Sequence, residues 1–391
     1  MRILHVVETL EVGGLERVVV ALSAEQVRRG DTVTIACLFH EGPLAGDARA
    51  AGVEVISCDK RPGADGGALR RLRYALRSRS PQVLHTHNPT AHYYGVFAAL
   101  GLRGMRRIST RHGMGSFRAS RRRERLYRLS MIATDSAVAV CQAARERFVT
   151  RGVMPRGRSE VVVNGVDLAR FAARDPARRD ALVRDLGLGD TASLFGSVGR
   201  LNEAKDPSNL VDAFARTVAA HPRAALVIVG DGELRAAVEA RVRGHGIGDR
   251  VRLLGTRADV PALLASFDAF VLASGTEGYS LALVEAAAAA LPAVATDVGG
   301  NREIVSDGRT GLIVPPADPA ALAAAMIALA GDPERREALG TAARRWALTH
   351  GSLGAMADAY GRLCRGEATD PAPEAAARGS APRVDDGGVA S

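Results

Sequence analysis

The sequence has few aromatic residues, almost no lysine and no long hydrophobic run. Its 391 residues include one Trp, six Tyr and nine Phe. A membrane-spanning helix requires roughly 20 apolar residues, and the longest apolar stretch, around residues 281–295, is broken by Glu285 and Pro292. The four cysteines are scattered without metal-ligand spacing. We therefore expect no membrane-spanning helix, no disulfide and no zinc site.

The N-terminal segment Met1–Val7 has neither the apolar core nor the small-residue cleavage site of a signal peptide. It is typical of a first β-strand. We therefore expect a cytoplasmic protein with free thiols.

Positive charge comes almost entirely from arginine. The net charge is +9, and only Lys60 and Lys205 among the 52 basic residues are lysines. The segment Arg103–Arg128 is especially basic. It has two open interpretations: a solvated helix face, or a surface for the anionic inner face of the plasma membrane, worth about 1 kcal/mol per basic residue near lipid. Nucleic acid is disfavoured as a partner, because no binding motif or aromatic stacking pattern accompanies the charge.

Short β-branched segments alternate with longer helical patterns along the chain. We expect strands at residues 2–7, 32–38, 53–57, 83–85, 107–110, 136–140 and 160–163, and again at 193–198, 225–229, 250–254, 269–272, 293–296 and 312–314. Regular strand–helix alternation predicts parallel sheets covered on both faces. The fold class is therefore α/β, with two doubly wound, Rossmann-like domains that face each other across a cleft.

We place the first domain at residues 1–168 and the second at 169–349, since polar residues and proline follow Asn164–Asp167. A last helix at about 350–365 is expected to return to the first domain. Residues 366–391 lack periodicity and are predicted to be a disordered tail.

Chemistry-bearing residues cluster where strands end. Arg200 and Lys205 lie in a loop, residues 199–206, between a strand and a helix. A guanidinium, an ammonium and a helix N-terminus together favour a phosphate. Ordinary loop charges are the alternative.

Two carboxylates, Glu277 and Glu285, are eight positions apart in the segment Glu277–Glu285. Gly278 places Glu277 in a loop before the helix that carries Glu285, so both acids are able to face one cavity from different heights. Two solvated acids on an amphipathic helix are the alternative.

Other strand ends carry weaker signals. Gly13 and Gly14 precede a helix and permit close backbone approach to a phosphate or sugar, although a simple helix-entry turn fits equally well. His112 follows a strand and is placed to touch substrate hydroxyls, and the segment that ends at Arg257 follows another and is placed to meet a base ring with backbone groups. His85 and His87 alternate along one strand, but no third ligand has convincing spacing, and we predict no metal.

Together these residues resemble glycosyltransferase family 4, the retaining, nucleotide-sugar-dependent enzymes of GT-B fold. The motifs that carry the resemblance, which extends to about Arg365, are Gly13-Gly14, Asn164–Asp167, Gly199-Arg200 with Lys205-Asp206, Glu277 with Glu285, and Gly299-Gly300. Family members commonly have Phe-Gly or Tyr-Gly after the first Glu, and Cys-Gly before Leu-Pro. Here Tyr279-Ser280 and Ala289-Ala290 occupy those places.

The resemblance implies a role for each matching residue. The catalytic set would be Arg200 and Lys205 on the donor diphosphate, Glu277 on the transferred sugar, and His112 on a sugar hydroxyl. Donor contacts would come from Gly13, Gly14, Arg257, Gly278, Tyr279, Ser280, Leu281 and Glu285.

The same resemblance implies a metal-independent, hexosyltransferase-type enzyme with no cofactor. Its donor would be a nucleotide sugar, UDP-linked by preference, and its acceptor a glycan or lipid-linked molecule of a bacterial cell-surface polysaccharide. No Asp-x-Asp triplet is present to hold a metal. A GT-B epimerase and a non-catalytic nucleotide-sugar-binding protein are the alternatives. A nicotinamide-dependent dehydrogenase is disfavoured, since GxGxxG is absent.

Overall fold

The structure is a computed structural model and describes residues 1–115 and 121–369. Residues 116–120 of the basic segment and the tail beyond Thr369 lie outside the described residues. Within that range no helix is both long and apolar enough to cross a membrane.

The first half of the chain forms a seven-stranded sheet in which every pairing is parallel. Its strands are β1 Arg2–Thr9, β2 Thr32–His40, β3 Glu54–Ser57, β4 Val83–His87, β5 Arg106–Arg111, β6 Ser136–Ala139 and β7 Ser159–Val161. Their order is β3-β2-β1-β4-β5-β6-β7. The helices between them are α1 Gly14–Arg28, α2 Leu44–Ala50, α3 Gly66–Arg79, α4 Asn88–Ala98, α5 Arg121–Ser130 and α6 Gln142–Thr150.

The second half repeats this architecture with a six-stranded parallel sheet. Its strands are β8 Ser193–Val198, β9 Ala224–Val229, β10 Val251–Leu253, β11 Ala269–Leu272, β12 Ala293–Thr296 and β13 Gly311–Val314, in the order β10-β9-β8-β11-β12-β13. The helices are α7 Pro176–Asp185, α8 Pro207–Ala220, α9 Arg235–Gly244, α10 Val260–Leu264, α11 Leu281–Ala288, α12 Asn301–Ile304, α13 Pro319–Ala330, α14 Pro333–His350 and α15 Leu353–Arg365. Two doubly wound parallel sheets confirm the predicted fold class.

Four short 3₁₀ helices complete the secondary structure of the described residues: Met131–Ala133, Arg156–Arg158, Leu168–Arg170 and Glu203–Lys205. The last of them carries Lys205 in the loop that follows β8. The central strands are almost wholly buried, as in β9, where all six residues are buried. Burial on both faces explains why these strands read as continuous apolar runs rather than alternating ones.

The chain crosses between the domains twice, and the two crossings touch. The backbone N–H of Val166 donates to Gly351 O at 2.8 Å, and that of Leu353 donates to Val166 O at 2.9 Å. Helix α15 then packs on the first sheet, where Met356 and Tyr360 share a core with Ile3 of β1. All four cysteines are buried free thiols.

Candidate functional site

The strand order reverses at one place in each sheet, between β1 and β4 and between β8 and β11. Crossover helices leave on opposite faces at such a point, so the loops beyond the strand ends open a crevice where ligands bind. The two crevices face each other, since the Arg200 guanidinium after β8 donates to the carbonyl of Val12 after β1 at 3.1 Å. The site therefore lies between the domains.

The loop after β8, residues 199–206, is braced by the glycines that follow β9. A Cβ on Gly230, whose φ is +132°, would lie 1.9 Å from Gly199 O, and one on Gly232 would lie 2.3 Å from Leu201 O. Asn202 accepts a hydrogen bond from the Lys205 amide at 3.1 Å. A pocket open to solvent is lined by Arg200 and Lys205. The loop therefore holds Arg200 and Lys205 at the edge of this pocket.

Lys205 and Glu277 form a direct ion pair, so the structure joins two residues that are 72 positions apart. The Glu277 side chain is only 9 % exposed, and the same carboxylate oxygen accepts from the Ser274 hydroxyl at 2.7 Å. The ammonium and the hydroxyl together hold this carboxylate in a fixed position. Arg200, the other cation, donates to a neutral carbonyl of the first domain, that of Val12, and lies near the Glu16 carboxyl.

Glycines allow the Glu277 segment to reach the first domain. A Cβ on Gly278 would lie 2.8 Å from Gly113 Cα, next to His112, so the two backbones are in contact across the cleft. Gly299, at φ +55°, packs against Glu277 O, where a Cβ would lie at 1.9 Å. Gly300 donates to Gly278 O at 2.9 Å. The glycine pair therefore fixes the path of the Glu277 loop.

Helix α11 begins beside this loop with an open N-terminus. Ser280 is its N-cap residue but makes no capping hydrogen bond, and its hydroxyl is buried with no partner among the described residues. Leu281, the first helical residue, lies next to Gly14 of the first domain. A Cβ on Gly14 would be 3.8 Å from the Leu281 side chain. Tyr279 is buried. Free amides at a helix start favour an anion.

Glu285, one turn further along α11, is largely buried, and its carboxyl makes no hydrogen bond to the described residues. Burial raises the pKa of its carboxyl to about 7, and the nearby Arg17 and Arg170 only partly offset this. The carboxyl is therefore poised to titrate near neutral pH. The sequence pattern did not predict either arginine as a neighbour, because both lie in other elements.

Glycines 13 and 14 lie at the start of α1, opposite the second domain. A Cβ on Gly13 would lie 2.2 Å from Glu16 Oε2, so a side chain there would displace that carboxyl. Burial raises the pKa of Glu16, and the nearby Arg200 partly opposes the shift. Sequence reasoning missed Glu16 as a neighbour of the site.

Arg257, predicted to lie near a base, forms a bidentate ion pair with Asp259 at 2.7 and 2.6 Å. None of its described hydrogen bonds reaches another predicted site residue.

His112 follows β5 and hydrogen-bonds to a second histidine, His87. Its Nε2 atom lies 2.9 Å from His87 Nδ1, and its backbone N–H donates to Asn88 Oδ1 at 3.0 Å. Asn88 has a φ of +68°, a strained conformation of the kind found at functional sites. Burial lowers the pKa of His112 to about 3, so the ring is neutral.

Sequence spacing offers no convincing third metal ligand beside His85 and His87, but the fold brings a third histidine to them. The sheet brings His5 of β1 beside His85 and His87 of β4, and one nitrogen of each ring lies within 4.8 Å of the others. Sequence spacing missed His5 because it belongs to a different strand. All three rings are buried, and His5 already hydrogen-bonds to His87 at 3.0 Å. A metal at this place would have to break that hydrogen bond.

A second link between the domains lies behind the glycine pair. The Glu303 carboxylate of α12 accepts from the backbone N–H groups of Gln142 at 3.0 Å and Ala143 at 3.1 Å, at the start of α6. Burial raises the pKa of Glu303, and these two amides oppose the shift. The acid caps a helix of the other domain.

Comparison with known proteins identifies the family. Residues 12–170 match the model "Glycosyltransferase Family 4" and residues 178–346 match "Glycosyl transferases group 1". A GDP-mannose-dependent alpha-(1-6)-phosphatidylinositol monomannoside mannosyltransferase from Mycolicibacterium smegmatis is 30% identical over 294 residues, which cover 70% of this chain and 75% of that protein. The chain belongs to glycosyltransferase family 4. The predicted family is confirmed.

Other similarities agree with this family 4 assignment. Glycogen synthase from Mycobacterium tuberculosis is 30% identical over 282 residues, covering 69% of this chain but only 65% of that protein. The solved structure of Anabaena Alr3699/HepE in complex with UDP has a TM-score of 0.83, covers 93% of this chain and all of that one, and is 21% identical. It shows the same fold, so the GT-B prediction is confirmed.

Replacing Glu285 with Gln in this family 4 chain should change the pH dependence of stability. The pKa of about 7 in the folded state lies above the ordinary value of a glutamate. The folded state therefore binds the extra proton, and wild-type stability falls as pH rises from about 4.5 to 7. The variant lacks that loss and should exceed wild type by up to about 3 kcal/mol at pH 8, measured by urea denaturation. The advantage should vanish at pH 4.

Glu334 of α14, an exposed carboxylate, provides the control when it is also changed to Gln. Parallel stability curves for wild type and Glu285→Gln between pH 4 and 8 would contradict the assignment.

Proposed function

We propose that the chain is a retaining, metal-independent glycosyltransferase of the hexosyltransferase type. It moves a sugar from a nucleotide diphosphate sugar to a glycan or lipid-linked acceptor of a bacterial cell-surface polysaccharide. The observation that carries this proposal is the meeting of Arg200, Lys205 and Glu277 opposite the Gly13 and His112 segments of the other domain.

The diphosphate of the donor would bind between Arg200, Lys205 and the open start of α11. The Lys205 side chain is 28 % exposed while it is paired with Glu277. One phosphate oxygen is therefore able to bind the ammonium without breaking the ion pair. The uncapped amides at Ser280 and Leu281 supply further donors. Two cations and a helix N-terminus would thus neutralise the leaving group.

The bond between the anomeric carbon and the phosphate breaks with positive charge on the sugar and negative charge on the diphosphate. Fixed cations stabilise that negative charge where it develops. We infer that Arg200 and Lys205 supply the positive charge that a metal supplies in other enzymes. The acceptor hydroxyl would attack from the face that the phosphate leaves, and a phosphate oxygen would take the hydroxyl proton, so the configuration is retained.

Glu277 would stand beside the transferred sugar as a fixed carboxylate, since Lys205 and Ser274 restrain it. Gly278, Tyr279, Ser280 and Leu281 would shape the wall near the phosphates, and Gly13 and Gly14 the opposite wall. Glu285 would accept hydrogen bonds from the ribose hydroxyls, and Arg257 would lie near the base.

We favour a UDP-linked donor, supported by the structural similarity to the Anabaena protein in complex with UDP. The mannosyltransferase relative is GDP-mannose-dependent, so GDP is the main competitor.

The basic segment also supports peripheral contact with an anionic membrane at its inner face. In α5, Arg122, Arg123 and Arg125 are exposed, and the nearby Leu129 and Ile132 are 56 % and 74 % exposed. Exposed apolar side chains beside cations are typical of surfaces that lie in a lipid headgroup layer. A lipid-linked acceptor would be available there.

Changing Lys205 to Ala should lower the rate of sugar transfer by about 100-fold or more, because one fixed cation at the leaving group is lost. Arg216→Ala, an exposed arginine of α8, is the matched control and should leave the rate unchanged. Retention predicts that NMR of the product shows the same anomeric configuration as the donor. Metal independence predicts that EDTA does not slow transfer. An unchanged rate in Lys205→Ala would refute the assignment. Donor binding without transfer to any acceptor would favour the non-catalytic alternative.

UDP should raise the melting temperature of the protein more than GDP, ADP or CDP at equal concentration, because a ligand stabilises the folded state according to its affinity. Thermal-shift measurement needs no knowledge of the acceptor. A larger shift with GDP would replace the UDP assignment with a GDP-linked donor.

Vesicles containing phosphatidylglycerol should bind the protein at low salt, and vesicles of phosphatidylcholine should not. Replacing Arg122, Arg123 and Arg125 with Ser should weaken binding about 100-fold, since each cation near lipid contributes about 1 kcal/mol. The control replaces three exposed arginines of the second domain, Arg184, Arg216 and Arg243. Equal loss in both triple variants would mean that the α5 surface has no special role.

A further inference from the structure

Four polar side chains form a continuous line through the interior of the first domain. Gln26 of α1 accepts from His5 Nε2 across 2.8 Å, His5 Nδ1 lies 3.0 Å from His87 Nε2, and His87 Nδ1 lies 2.9 Å from His112 Nε2. The line crosses β1, β4 and β5, which are neighbours in the sheet. We call these four residues the histidine line.

The three rings of the line are neutral. Burial lowers the pKa of His5 to about 4, against an opposing effect of Gln26, and lowers that of His112 to about 3. Burial, with help from the neighbouring histidines, holds the pKa of His87 well below its ordinary value. Within the described residues no carboxylate hydrogen-bonds to these rings. Each ring therefore carries one proton, on either Nδ1 or Nε2.

The position of one proton determines the others. A hydrogen bond between two ring nitrogens needs one protonated and one bare atom. The Gln26 carbonyl oxygen has no proton to give, so His5 Nε2 carries one and His5 Nδ1 is bare. His87 Nε2 must then be protonated and His87 Nδ1 bare. The same step puts the proton of His112 on Nε2.

From this we infer that the histidine line fixes the tautomer of His112 and keeps its Nδ1 atom as a hydrogen-bond acceptor for a sugar hydroxyl at the cleft. The sugar contact rests on the proposed function, but the tautomer does not. His112 Nδ1 is buried and has no partner among the described residues. Its neighbour Gly113 contacts Gly278 of the second domain. Gln26, His5 and His87 are thus positioning residues.

A metal bound by His5, His85 and His87 is the competing interpretation of the same cluster. The line explains more of the contacts, because a metal would have to take nitrogens that already hydrogen-bond to each other. It would also bring two buried positive charges that no carboxylate of the described residues offsets at these rings. His85 lies beside the line and hydrogen-bonds to Thr110 Oγ1 at 2.8 Å.

The tautomer can be read directly by ¹H–¹⁵N NMR of the full chain with ¹⁵N-labelled histidine, since two-bond correlations distinguish protonated from bare ring nitrogens. Comparison with His112→Ala identifies the His112 signals. We expect protonated Nε2 and bare Nδ1 in all three rings without any nucleotide present. A proton on His112 Nδ1 would overturn the inference, as would stoichiometric zinc whose removal shifts the signals of His5 and His87.

Gln26→Met removes the acceptor that starts the line and should give a mixture of His112 tautomers. The kcat/KM of transfer should fall between about two- and tenfold, because only part of the protein remains competent. Ser23→Ala, on the buried side of the same helix where its hydroxyl has no partner, is the control and should keep both the spectrum and the rate. An unchanged His112 tautomer in Gln26→Met would also overturn the inference. The expected tautomer without any sugar transfer would leave the line intact and refute the proposed function instead.

Discussion

Parallel pairing is the constraint on which the rest of the molecule depends. It places all strand ends of a sheet at one edge, and the order reversals at β1/β4 and β8/β11 open that edge in each domain. Two such edges form a site only if the backbones approach closely, and this occurs where Gly278 meets Gly113. Since a Cβ on Gly278 would lie 2.8 Å from Gly113 Cα, an alanine there would push the edges apart.

The cleft holds its cations with contacts of unequal strength. Lys205 is paired with a nearly buried acid, whereas Arg200 reaches across to a neutral carbonyl of the first domain. A phosphate would displace the Val12 carbonyl from Arg200 at little cost, because a charged acceptor makes the stronger hydrogen bond. Arg200 would then exchange a contact with the neighbouring domain for a contact with the ligand. The Glu303 carboxylate that caps α6 takes no part in this exchange. It links the two domains through contacts that do not involve Arg200.

Much of this could be predicted from the sequence, because strand ends are marked by local signals. The thirteen strands among the described residues lie within a few positions of the predicted segments, and Glu277 precedes α11 as its neighbour Gly278 indicates. Pairings between distant segments could not be predicted. Nothing near His5 marks it as a partner of His87, since a buried strand residue shows its neighbours only when the sheet order is known. The same holds for Glu16 beside Arg200.

The histidine line also explains how the fold tolerates the burial of three imidazole rings. Burying three imidazoles in a sheet is unfavourable unless their polar atoms are paired. Five of the six ring nitrogens of His5, His87 and His112 have partners, and the sixth, His112 Nδ1, has none among the described residues. An unpaired buried polar atom in an otherwise satisfied network calls for a ligand or a water. That atom belongs to the residue next to Gly113, where the backbones of the two domains touch, so the network ends beside the domain contact.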